Sequence, residues 1–150
     1  MDFTVFIVQL CMEEGVRLRV YRDLFGHLTV GVGHRVKSVD KLGVGAEISL
    51  LRCVDLLEQD MQIAYETCQR LWKDFTLFPT KVQLILCDMA FNLGAGRLRT
   101  FKNMVWAVDQ QQWSIVADEM AKSRWYKQVG TRAVNLVQRM REVAQWSENS

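Results

Sequence analysis

The chain has 150 residues, 49% of them apolar and only one a proline, which fits a single folded domain and excludes a disordered or low-complexity protein. Nineteen Lys and Arg against seventeen Asp and Glu leave a net charge of +2. There is no long block of like charge of the kind that marks a nucleic-acid-binding tail, so nucleic acid is not an expected partner. The longest apolar run, Phe3 to Met12, is broken by Thr4 and Gln9 and preceded by Asp2, so neither a signal peptide nor a transmembrane helix is expected.

Phe3, Phe6, Ile7, Leu10 and Cys11 recur at helical spacing, which predicts a short N-terminal helix ending at Gly15. From Arg17 to Val36 the pattern alternates in places, Leu18 with Val20 and then Leu28, Val30 and Val32. With Leu24-Phe25-Gly26-His27 at the turn, this reads as a hairpin in a small sheet. Gly31 and Gly33 complete no GxGxxG nucleotide loop; close approach of the backbone to a sugar or to a neighbouring helix explains them better.

Ser49 is the expected N-cap of one continuous helix, whose apolar stripe is Leu50, Val54, Leu57, Met61, Ala64, Cys68 and Leu71. Pro79 opens an apolar segment, Val82 to Leu93, that predicts a buried central helix stopped by Gly94-Ala95-Gly96. Three shorter helical patterns follow, Thr100 to Val108, Gln112 to Ala121 and Thr131 to Ala144. With no repeat and no linker rich in Pro, Gly or Ser, residues 1–150 form one domain with a small lobe over about 12–48, a linking helix over about 49–72 and a helical lobe over about 73–146. A cleft between lobes is where a ligand is expected.

Cys11, Cys53, Cys68 and Cys87 are widely spaced, form no CxxC pair and lie in apolar stretches, so free thiols are expected. His27 and His34 are the only histidines, and without an HExxH or a Cys/His cluster no metal is expected. Charge is uneven. Residues 1–96 hold ten Lys and Arg against twelve Asp and Glu, and residues 97–150 hold nine against five. A basic second part suits an anionic wall through attraction that salt weakens, and reads equally as a solvated helical surface.

The chemistry concentrates between Glu14 and His34. Glu14 ends a helix, Asp23 follows beyond one strand, and Thr29 begins the next, an order that can bring all three to one cleft wall. Glycoside hydrolysis needs two carboxyls about a bond, one to protonate the leaving oxygen and one to stabilise charge or position a nucleophile. Spacing alone leaves Glu14 as a solvated helix-end residue, because seventeen acids in the chain make such pairs common.

The order of residues adds what spacing does not. Glu14-Gly15, Leu18, Tyr21, Asp23, Gly26, Thr29 and Gly31-Val32-Gly33-His34 stand at the offsets of the T-even-phage type of lysozyme, which this stretch resembles. Ser49, Asp60, Phe91-Asn92-Leu93-Gly94, Ala121-Lys122-Ser123-Arg124-Trp125-Tyr126 and Arg132 carry the resemblance to about Arg141. It implies an α+β, mostly α, lysozyme-like two-lobed fold with the N-terminal helix joining the helical lobe. It also implies a muramidase that cuts the β-1,4 bond between N-acetylmuramic acid and N-acetylglucosamine in bacterial peptidoglycan, as a monomer without metal or organic cofactor. Such an enzyme would be made in the cytoplasm and released to reach the wall.

By the same resemblance Glu14 is the general acid, Asp23 the second acidic residue and Thr29 the hydroxyl that helps hold an attacking water. Gly33, Phe91, Asn92 and Arg132 bind substrate or support the site, His34 pairs with Asp60, Trp125 is structural, and Arg132 touches Glu14. The implied inverting reaction wants the two carboxyls roughly 6.5–9.5 Å apart. The segment from His34 to Ser49 is shorter than in the longer members, and the four cysteines and His27 lie outside the motif. A catalytically silent wall-binding or scaffolding domain is the alternative, against which the intact Glu14, Asp23 and Thr29 argue. Membrane disruption by the C-terminal helices is disfavoured by the modest charge and by the apolar faces a core requires.

Overall fold

A computed structural model of the chain describes residues 3–149, and at Glu13 and Glu14 the backbone alone. The chain divides into two compact units, Met1–Gln62 and Ile63–Ser150. The first opens with helix α1 (Thr4–Glu14). Phe6, Ile7 and Leu10 are buried along it while Val5, Val8 and Met12 face solvent, as helical spacing predicts. The helix stops at Gly15, whose φ of 73° departs from the helical region.

Strands β1 (Arg17–Arg22), β2 (Leu28–Gly31) and β3 (His34–Arg35) form an antiparallel sheet in that order. Tyr21 lies opposite Thr29, Thr29 opposite Arg35, and Val30 opposite His34. Because side chains alternate along a strand, Val20, Val30 and His34 share one face, all three buried, and Tyr21, Thr29 and Arg35 the other, where Thr29 alone is buried. The outer edge of β1 is covered by residues 45–48: Val20 N–H donates to Ala46 O at 2.8 Å and Ile48 N–H to Leu18 O at 2.8 Å. The sequence gives no sign of this cover, since residues 43–48 lack strand alternation and the pairing is made by backbone.

Helix α2 (Leu50–Leu71) follows. Its Ser49 cap is present, with Arg52 N–H donating to Ser49 Oγ at 3.0 Å. The stripe needs correction at its start: Leu50 is 59% exposed, and the buried positions begin at Cys53 and continue through Leu56, Leu57 and Met61. Gly31 supplies the reason. A Cβ there would stand 3.0 Å from Cys53 Sγ, so β2 closes on the helix at Cys53 and sets which side faces inward. Gly31 also has a φ of +69°. Gly31→Ala therefore meets both strain and crowding and is expected to destabilise the protein by about 1–3 kcal/mol, read as a lowered midpoint in urea.

The second unit is helical. Helix α3 (Thr80–Leu93) is buried on most sides and ends at Gly94, as predicted. The next stretch differs from expectation: Ala95–Arg99 forms a short helix α4, and the helix expected from Thr100 starts at Lys102 as α5 (Lys102–Asp109). Helix α6 spans Trp113–Lys122, the unpredicted α7 Arg124–Val129, and α8 Thr131–Glu148, beyond the expected Ala144. In α4 the buried residue is Leu98 and in α7 it is Trp125. A helix with one buried anchor has no hydrophobic period to read.

Around α3 a single apolar cluster gathers residues from Ala64 to Ala144. Within it Tyr65, Phe75, Phe78 and Trp113 meet edge to face in succession, with ring centroids 5.4, 5.9 and 5.3 Å apart. The four cysteines are free, Cys53, Cys68 and Cys87 buried and Cys11 partly so. The architecture is α+β and mostly α, as expected. Among the described residues no helix is long and apolar enough to cross a membrane.

Candidate active site

Glu14 is the last residue of α1; its side chain, and with it the expected contact to Arg132, lies outside the described residues. Asp23 sits at the hairpin. Its Oδ1 accepts the N–H of Phe25 at 2.9 Å and that of His27 at 2.8 Å. Chiefly the His27 N–H, helped by that of Phe25 and by the charges of His27 and Arg35, holds the Asp23 carboxyl below the ordinary carboxylate range against a smaller opposing effect of burial. Asp23 is thus an ionised, acceptor-only group with one oxygen committed to the turn.

Thr29 is 6% exposed, and its hydroxyl donates to the His27 carbonyl at 3.0 Å. The same carbonyl accepts Asp23 N–H at 2.9 Å. His27 therefore ties Asp23 and Thr29 together through its backbone, a role no sequence motif announces because any residue type supplies those groups. With its proton engaged, Thr29 Oγ1 is left as an acceptor. Gly33 lies in the turn between β2 and β3 with a φ of +71°.

Behind this face His34 is held from both sides. Nδ1 lies 2.7 Å from Asp60 Oδ2 on α2, the expected partner, and Nε2 lies 2.9 Å from Asp40 Oδ2. Asp40 also accepts Lys37 N–H at 2.7 Å and has the Arg52 guanidinium 3.8 Å away. Two carboxylates can accept only from a ring carrying protons on both nitrogens, so the geometry suits an imidazolium. The bond to Asp60, opposed by burial and assisted by Asp40, raises the His34 pKa above its ordinary value. Burial pulls Asp40 upward, yet its bonds to His34 and Lys37 leave it below the ordinary range. Asp40 was missed in the sequence because its place depends on a single 3-10 turn over Ser38–Asp40.

In the second unit the structure gathers Phe91, Asn92, Arg132 and Trp125 about the end of α3. Arg132 Nε donates to Asp88 Oδ1 at 2.8 Å, its terminal nitrogen reaches the same oxygen, and its guanidinium carbon lies 5.5 Å from the Phe91 ring centre. Trp125 is 2% exposed, and its Nε1–H donates to Asn92 Oδ1 at 2.9 Å. Asp88, Phe91 and Asn92 fall three and four apart on one helix face, so α3 itself aligns them. Asp88 is the residue that sequence reasoning passed over; a lone acid inside an apolar helix was the available signal.

Phage lysozyme is the family that matches, over residues 12–142. The chain belongs to the phage lysozyme family. Peptidoglycan hydrolysis is accordingly the class of chemistry of this chain. It is 24% identical over 147 residues to probable T4-type lysozyme 2 of Dictyostelium discoideum, covering 83% of this chain and 86% of that protein. To peptidoglycan hydrolase gp36 of Pseudomonas phage phiKMV it is 28% identical over 132 residues, 88% of this chain and 14% of that protein. To the pre-baseplate central spike protein Gp5 of Enterobacteria phage T4 it is 28% identical over 142 residues, 81% of this chain and 25% of that protein. The chain thus spans most of the Dictyostelium protein and a minor part of the two phage proteins.

Proposed function

We propose that this phage lysozyme is an inverting muramidase. It cuts the β-1,4 bond between N-acetylmuramic acid and N-acetylglucosamine in peptidoglycan, with Glu14 as general acid and Asp23 and Thr29 holding the attacking water. The observation that carries the reading is the arrangement about His27. Asp23 has one oxygen engaged by the turn and Thr29 has its proton engaged by the His27 carbonyl. A water beside them can donate one proton to Asp23 Oδ2 and the other to Thr29 Oγ1, which directs a lone pair outward at the anomeric carbon.

Proton flow follows from these roles. Glu14 gives its proton to the glycosidic oxygen as the bond breaks. The incoming water becomes strongly acidic once bonded to the anomeric carbon, so the weakly basic Asp23 suffices to take its proton. Until then the ionised Asp23 stabilises positive charge at that carbon. Phe91, Asn92 and Arg132 support substrate binding, with Trp125 and Asp88 fixing their positions. Gly33 serves at the turn, and the whole acts as one lysozyme domain on the wall.

Two readings of the first product test this. Water attack opposite the leaving group yields the α-anomer first from a β-linked chain. Proton NMR before mutarotation should show it; initial β-anomer would mean direct attack by a carboxylate and would overturn the water-holding role. Borohydride reduction of the fragments should convert muramic acid, not glucosamine, to the alditol. Glucosaminitol instead would remove the muramidase assignment while leaving peptidoglycan hydrolysis intact.

A further inference from the structure

The face of the sheet opposite His34 carries a row of side chains across three strands, Tyr21, Thr29 and Arg35, each opposite the next, with Thr29 buried in the middle and Arg35 exposed at its edge. Cross-strand neighbours have Cβ atoms about 4.5–5.5 Å apart on a shared face. Arg35 therefore rises beside the hydroxyl assigned to the water, on a side chain long enough to sweep the space over it. Its charge is felt at Asp23.

Among the described residues of the first unit, the other arginines are engaged. The guanidinium of Arg17 lies 3.7 Å from the centre of the Tyr21 ring, and Arg19 pairs with Glu47. Arg22 donates to Gly26 O at 3.0 Å, and Arg52 faces Asp40 at 3.8 Å. Arg35 is exposed and has no hydrogen bond or salt bridge there. Holding Asp23 ionised does not require it, because the two backbone N–H groups on Oδ1 already favour the charged form.

We propose that Arg35 is a specificity-determining residue that pairs with a carboxylate of the peptide borne by the muramic acid beside the bond being cut. The planar guanidinium matches a carboxylate with two parallel N–H bonds, which a neutral sugar hydroxyl cannot accept in the same way. In the substrate proposed above, the lactyl carboxyl of muramic acid is spent in the amide bond to the attached peptide, so the free carboxylates near the bond are those of that peptide. The inference rests on that muramidase reading. Arg35 touches no reacting atom; it reads the substrate and seats it.

The test compares wild type, Arg35→Gln and Arg35→Lys on purified walls and on the same walls after carbodiimide amidation of their carboxyls. On native walls Arg35→Gln should raise KM about tenfold with kcat within about twofold, and Arg35→Lys should fall between. Amidation should raise the wild-type KM to that of Arg35→Gln and leave Arg35→Gln unchanged. Added salt should weaken wild type more than the Gln variant. If both enzymes distinguish native from amidated walls equally, Arg35 reads no carboxylate. If kcat falls instead and the acidic limb of the pH profile moves up, Arg35 acts through Asp23; either result overturns the proposal. An equal loss on both walls with a lowered melting temperature marks a structural role and also overturns it. The identity of the reducing end, measured on wild type alone, tests the muramidase reading separately.

Discussion

Glu14→Gln is expected to reduce peptidoglycan cleavage by about 10²–10⁴-fold, the range over which a positioned general acid accelerates a step. The amide keeps the size and polarity of the side chain but has no acidic proton for the departing sugar oxygen, so kcat and kcat/KM should fall together. Glu13→Gln is the informative neighbour. The resemblance selects Glu14 by the glycine that follows it, and the same substitution one position earlier should leave turnover near wild type. Release of soluble muropeptides, with melting temperatures measured alongside, checks both. More than a few per cent of activity in Glu14→Gln, or loss in Glu13→Gln alone, moves the acid elsewhere.

His34→Asn should cost about 3 kcal/mol of stability at pH 5, since removing the ring leaves the buried carboxylates of Asp40 and Asp60 without their shared cation. The deficit should shrink as pH rises. A histidine whose folded pKa is raised contributes stability that is fully present below its unfolded value, near 6.5, and is lost as pH climbs through the folded value. Once pH has passed the folded value the wild-type ring is neutral and the two proteins should lie closer. On the acid side the sign reverses for Asp40, whose pKa is lowered: its contribution is present above the unfolded carboxylate value and fades as pH falls through the folded one. Stability carried by the cluster should therefore be greatest in mildly acidic solution. Urea midpoints of wild type and His34→Asn at pH 5, 7 and 9 decide the matter; a deficit that does not change with pH would mean that no imidazolium is held there.

Some of this protein was legible in its residues. Spacing of apolar side chains placed α1, α2, α3, α6 and the start of α8, because a helix that buries one stripe writes its period into the sequence. The hairpin was legible from alternation and from Gly26. The family was legible from the order of Glu14, Asp23, Thr29 and Gly31 to His34, since offsets within one short stretch of chain can be read without knowing how the rest folds.

Other features arise only when distant segments meet. The inward side of α2 is set at Cys53 by the approach of Gly31, not by the leucine that seemed to begin the stripe. Asp40 and Asp60 lie on separate segments and converge on one ring. Arg132 and Asp88 are 44 residues apart and share a buried ion pair. The sequence by itself determined which chemical groups are present and where the chain can bend or coil, since those depend on each residue and its near neighbours. The tertiary structure decided which groups share a hydrogen bond, and hence which charge is stabilised, because that depends on distances between residues the chain brings together only by folding.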